Sequence, residues 1–116
     1  MNTIIVYCGN ILWCPVNVEI LGDLRFTDTQ MSTIGKELRP YQRGNETRRV
    51  FTNNENIVHG IQVSVKRKTL HHKSVIFQYM AEHGCFHQVQ LDADGNFLDY
   101  PAGFFEQTRL DLLELF

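Results

Sequence analysis

The spacing of apolar positions along the chain changes several times, and each change marks an element. Thr3 to Cys8 is β-branched and aromatic, Gly9-Asn10 is turn chemistry, and Ile11 to Ile20 is a second apolar run broken by Pro15, so two short strands are predicted. From Thr27 the stretch TDTQMSTIGKEL opens on capping residues and sets Met31, Ile34 and Leu38 at helical spacing, which predicts a helix of about three turns. RPYQRGNE, Arg39 to Glu46, reads as a polar loop punctuated by Pro40 and Gly44. Arg48 to Thr52 reads as a short strand, and Ile57, Ile61 and Val65, with Val58 beside them, form one stripe of a following helix. Between strand and helix, Thr52 and Glu55 fit the capping-box pattern, in which each side chain meets a backbone N–H that the first helical turn leaves unpaired.

SVIFQYM (Ser74 to Met80) and CFHQVQL (Cys85 to Leu91) are strand-like, and the EHG between them predicts a hairpin. Asp94-Gly95 is a turn signal of the positive-φ kind, and Leu110, Leu113 and Phe116 fall on one face of a predicted C-terminal helix. Strands alternate with helices in the first two-thirds, and the hairpin is confined to the last third. This pattern predicts an α/β fold, a small mixed sheet with flanking helices, a terminal β-hairpin and a C-terminal helix. No repeat, linker or low-complexity tract divides the 116 residues, so residues 1–116 are expected to form one domain. A chain of that size buries roughly two-thirds of its unfolded surface.

A hydrophobic fraction of 43% and a charged fraction of 21% exclude disordered and fibrous classes. The net charge of −2 excludes a chain that is basic throughout, although the cluster Lys66-Arg67-Lys68 is suited to meeting phosphate. Cys8, Cys14 and Cys85 are odd in number and lack paired spacing, which predicts reduced thiols and a cytoplasmic location. The apolar N-terminal run is interrupted by Asn10, Pro15, Asn17 and Glu19 and has no basic region before it, so neither a signal peptide nor a membrane span is expected.

Local motifs for catalysis are sparse. No phosphate-binding glycine loop occurs: IGKE at Ile34 to Glu37 lacks both the upstream glycine and the following hydroxyl, and it falls inside a predicted helix. His83, Cys85 and His87 would share a strand face, with His71-His72 as further imidazoles, but Gly84 breaks the alternation and no fourth ligand is defined. DADGNFLDY begins like a calcium loop, yet Gly95 is fourth rather than sixth and Gly103 stands at the twelfth place, where glutamate is needed. No nucleophile elbow organises the serines, cysteines and histidines.

Longer stretches resemble one family, the ABC-type (SMC- and OLD-like) ATPases of bacteria that end in a C-terminal domain of unknown function. FTNNENIVHGIQVSVK is similar to that family's ETHSEHIINGIRVAVK-like segment, and NVEILGDLRFTDTQMSTIGKEL to its IVENPEAHLHPRGQSMIGRFL-like Walker B region, with Glu19, Gln30, Ile34, Gly35 and Leu38 in register. The end of the chain, VQLDADGNFLDYPAGFFEQ, resembles the family's DGxxxxWPxGFFDE-like tail. The resemblance runs from about Val18 to Phe116, with residues 1–68 as a degenerate ATPase-like half and 69–116 as the hairpin and tail region.

The departures fall on the family's chemistry. The resemblance implies that Glu19 keeps the acidic position that helps to hold magnesium, that the water-polarising carboxylate is replaced by Gly22, and that the phosphate-sensing histidine is replaced by Asn53. The AHLHP-like stretch becomes Asp23 to Thr27, and the P-loop half is missing. Phosphoryl transfer needs P-loop, metal and water-orienting groups together. These three positions are therefore expected to be vestigial, and the chain to be a non-enzymatic subunit that needs no cofactor. It is expected to dock on a larger protein, a full-length ATPase of this family in a defence system against phage or mobile DNA, through Tyr100, Pro101, Phe104 and Phe105. Nucleic acid would be met only through that complex, and no membrane is involved. Two alternatives remain: a metal-dependent enzyme built on the His/Cys cluster, and a nucleic-acid-binding accessory protein using Lys66, Arg67 and Lys68.

Overall fold

The computed structural model describes residues 2–9, 12, 14–80 and 85–99. The strands are β1 (Ile4–Gly9), β2 (Glu19–Ile20), β3 (Arg48–Phe51), β4 (Val75–Met80), β5 (Phe86–Leu91) and β6 (Phe97–Leu98), and the helices are α1 (Asp28–Glu37) and α2 (Glu55–Lys66). They form the expected small α/β fold with a mixed sheet, in the order β2-β3-β1-β4-β5-β6. β1, β2, β3 and β4 are parallel, and β5 and β6 continue the sheet in antiparallel fashion. The predicted tail helix with Leu110, Leu113 and Phe116 lies outside the described residues.

β1 does not neighbour β2. It lies between β3 and β4, with Ile4 opposite both Arg48 and Val75, so the β3–α2–β4 unit carries the chain across it. Alternation then divides β1 between two faces. Ile4, Val6 and Cys8 point inward with Val50, Val75, Phe77, Val89 and Leu91, and Met31 and Leu38 of the α1 segment and Ile57, Val58, Ile61 and Val65 of α2 close over them. The predicted stripe of α2 is thus the core face, and burying each such side chain contributes roughly 1.5–3 kcal/mol.

α1 and α2 cross at two glycines. A Cβ added to Gly35 would lie 2.0 Å from the Ile57 carbonyl oxygen, and one added to Gly60 would lie 2.3 Å from that of Ser32. The backbones touch, and Ser64 Oγ donates to the Lys36 carbonyl at 2.7 Å across the crossing. α1 begins as its sequence predicts: Thr27 accepts from the Gln30 N–H, and the Gln30 side chain accepts from the Thr27 N–H.

Two local expectations are corrected. The second apolar run forms a strand only at Glu19–Ile20, because Pro15 and the positive φ of Asn17 (64°) are incompatible with a continuous one. Cys14 and Pro15 instead lie beside Tyr7, Phe51 and Met80. The capping box at Thr52 and Glu55 does not form. α2 starts at Glu55 with Asn54 as its cap, whose side-chain oxygen accepts from Asn56 and Ile57, while Thr52 Oγ1 accepts from the Asn54 N–H. No helix among the described residues is long and apolar enough to cross a membrane.

Candidate functional site

The C-terminal ends of β1 and β3 lie side by side, and ligands of open α/β sheets commonly bind outside such ends. Here a side chain joins them. Asn53 Oδ1 accepts from the Gly9 N–H at 2.6 Å, and Asn53 Nδ2 donates to the Gly9 carbonyl at 2.7 Å, although Asn53 is itself exposed. The amide thus pairs with both main-chain groups of one residue and extends the sheet ladder past the last residue of β3. Gly9 suits this position, since its φ is 103° and an added Cβ would lie 2.1 Å from the Met80 carbonyl oxygen. Both hydrogen-bonding ends of Asn53 are engaged in holding the strand ends together.

Glu19 is engaged as well. Its carboxylate receives a two-pronged hydrogen bond from Arg48 (Nε to Oε1 2.9 Å, the second terminal nitrogen to Oε2 3.0 Å) and a further one from the Tyr41 hydroxyl at 3.3 Å. The Arg48 guanidinium, 5.6 Å from the Tyr41 ring centroid, also donates to the Arg39 carbonyl. Hydrogen bonding from Arg48 holds Glu19 below its ordinary carboxylate pKa, and the same pairing raises that of Arg48. This network fastens β2 to the start of β3. Register opposes Glu19 to Val50, three residues before Asn53, which places the two positions about 10 Å apart along the strand direction.

Gly22 sits against both helices. A Cβ there would lie 2.7 Å from Met31 Sδ and 3.0 Å from Ile57 Cδ1, so the space a carboxylate would need is filled by core side chains. Glu19, Gly22 and Asn53 therefore all have structural employment.

The His/Cys cluster is only partly described. His83 lies outside the described residues, Cys85 is exposed ahead of β5, and His87 is exposed opposite Tyr79. His72 Nδ1 is 3.2 Å from the Leu91 carbonyl, four residues and so about 13 Å along β5 from His87. The described residues contain no group of three metal-ligating side chains. In the DADG turn, Asp92 Oδ1 accepts from the Asp94 and Asn96 backbone, which holds its pKa below the usual range and confirms a turn built on its own carboxylate. Cys8 is buried, and desolvation pushes its pKa up to about 12, leaving an unreactive thiol.

Lys66, Arg67 and Lys68 are exposed at the end of α2. Tyr100, Pro101, Phe104 and Phe105 lie outside the described residues. Sequence reasoning did not find the edge formed by β2, around which Val16, Ile20, Leu24 and Phe26 are all exposed, Ile20 at 63% and Leu24 fully. The Leu21 N–H donates to the Phe51 carbonyl. By the alternation of a parallel ladder, the backbone N–H and C=O of Ile20 therefore point away from the sheet. The available signal was an apolar run too interrupted to be buried on both sides.

Comparison of the chain with protein-family models, with characterised proteins and with solved structures finds no match.

Proposed function

We propose that this chain is a non-catalytic docking subunit that binds a larger protein through the β2 edge. The observation that carries this reading is the concentration of exposed large apolar side chains between Val16 and Phe26, beside the outward-facing backbone of Ile20. Such an edge supports addition of a partner strand, with main-chain hydrogen bonds giving affinity and the apolar side chains giving specificity. The employment of Glu19, Gly22 and Asn53 in packing and pairing supports a role without phosphoryl transfer. Given the resemblance described above, the partner proposed is a full-length ABC-type ATPase.

The test is co-expression with a full-length ABC-type ATPase, followed by size-exclusion chromatography. Co-elution that is lost in an Ile20→Glu, Leu24→Glu double variant, with the variant's circular dichroism unchanged, is the expected result. A stable monomer that does not associate, or an association untouched by the two substitutions, would overturn the proposal.

A further inference from the structure

A second surface lies where α2 turns into β4, beside the residues that precede β1. Residues 66–73 hold four of the eleven lysines and arginines and none of the thirteen carboxylates, leaving seven cations against thirteen anions elsewhere. Lys66, Arg67, Lys68 and Lys73 are all exposed. The segment is held in shape by its own hydrogen bonds: Thr69 and Leu70 donate to the Ser64 carbonyl, and Lys68, at φ 63°, donates through Nζ to the Ala93 carbonyl. Lys68 is thereby tied to the turn that precedes β6.

The same segment presents a stacked aromatic pair. His71 and His72 have ring centroids 4.8 Å apart at 18°, and each Nδ1 is engaged: His71 accepts from the Lys73 N–H at 3.1 Å, and His72 meets the Leu91 carbonyl. His72 covers one face of the exposed His71 ring. His71 also lines an open groove of about 330 Å³ whose other wall includes Arg39 and Tyr41, the latter 40% exposed. Two aromatic rings thus border one groove beside a run of cations. Two carboxylates lie close by and both are engaged: Asp92 accepts from the Asp94 and Asn96 backbone, and Glu19, which accepts from the Tyr41 hydroxyl, is paired with Arg48.

We infer that this corner binds single-stranded nucleic acid. Lys66, Arg67 and Lys73 meet phosphates, and unpaired bases stack on His71 and Tyr41. Cations alone suit any polyanion, but rings beside a cationic track select a partner that carries both phosphates and π-faces. An acidic peptide lacks the second of these, and a duplex keeps its bases stacked on one another.

The experiment is fluorescence anisotropy with a labelled single-stranded 20-nucleotide DNA or RNA of mixed sequence, titrated with the full chain at several salt concentrations. Replacing Lys66, Arg67 and Lys73 by Gln should weaken binding and make the slope of log K against log salt shallower by about 2, since each neutralised phosphate contributes roughly 0.7 on a single strand. His71→Asn keeps an acceptor for the Lys73 N–H but removes the ring. It should weaken single-strand binding about 5- to 150-fold, the usual loss of one base stack, whereas His71→Tyr should retain it. Three outcomes would overturn the inference: no binding at low salt, equal affinity for polyglutamate or anionic vesicles, or His71→Asn binding as tightly as the wild type. Unchanged circular dichroism of each variant separates lost binding from lost folding.

Discussion

Replacing Asn53 tests whether the junction of β3 and α2 is a structural tie. The two hydrogen bonds to Gly9 are 2.6 and 2.7 Å long and join the ends of neighbouring parallel strands. A typical hydrogen bond contributes about 0.5–1.5 kcal/mol net, and because Asn53 is exposed, water can satisfy the freed Gly9 groups, so Asn53→Ala should cost about 1–2 kcal/mol. In a domain of this size that lowers Tm by roughly 3–10 °C. Asn53→Asp is nearly isosteric but replaces the donor with a second acceptor, setting a carboxylate oxygen against the Gly9 carbonyl, so it should be no more stable than the alanine variant despite its matching shape. Asn53→His cannot offer a donor and an acceptor side by side to the N–H and C=O of one residue; it should lose stability and gain no ATP hydrolysis. Urea unfolding followed by circular dichroism measures the stability, and hydrogen exchange at the Gly9 amide reports the bond itself. An alanine variant within about 0.3 kcal/mol of wild type, with Gly9 exchange unchanged, would refute the tie, since a change that small lies below the net worth of even one hydrogen bond.

The helix crossing gives a second prediction. Gly60→Ala brings a Cβ to 2.3 Å from the Ser32 carbonyl oxygen, 2.8 Å from the Lys36 nitrogen and 2.9 Å from Gly35 Cα, all backbone atoms that cannot rotate aside. Overpacking of about 1–3 kcal/mol or more should outweigh the roughly 1 kcal/mol that alanine gains in helix propensity; a thermally stabilised variant would show that the helices separate without cost. The third concerns acid. Because Glu19 has a lowered pKa in the folded chain, its pairing stabilises the fold above the ordinary carboxylate pKa, and that contribution is lost as pH falls through the lowered value. Glu19→Gln should therefore be less stable than wild type near neutrality by about 0.2–1 kcal/mol, the range for an exposed pair. The gap should close in acid; a gap that widened there would contradict the pairing.

Most of the element order was legible because it follows from periodicity. Ile57, Ile61 and Val65 fall on one helical face whatever they pack against, and the alternation of β5 and the Asp94-Gly95 turn are equally local. The cap of α2 was misplaced by two residues because Thr52 and Asn54 are both good capping types, and the choice depends on where β3 stops, which its pairing with β1 decides. The same holds for the candidate site. Nothing near Asn53 announces Gly9, which is forty-four residues earlier, and nothing near Gly22 announces the Met31 and Ile57 atoms that fill its place. The β2 edge was hidden for a related reason: an apolar run reads as buried until strand order shows that one side has no neighbour among the described residues.

The central position of β1 governs the order of assembly. Its partners begin forty-four and seventy-one residues further on, at Arg48 and Val75. During synthesis β1 must therefore wait, unpaired on both sides until β3 emerges and open on one side until β4 follows. Such distant pairing slows folding, because loop closure must precede the contacts that reward it. A nascent chain halted before β4 would carry an apolar strand open along one side, so completion of β4 is the step at which the sheet closes over its own beginning.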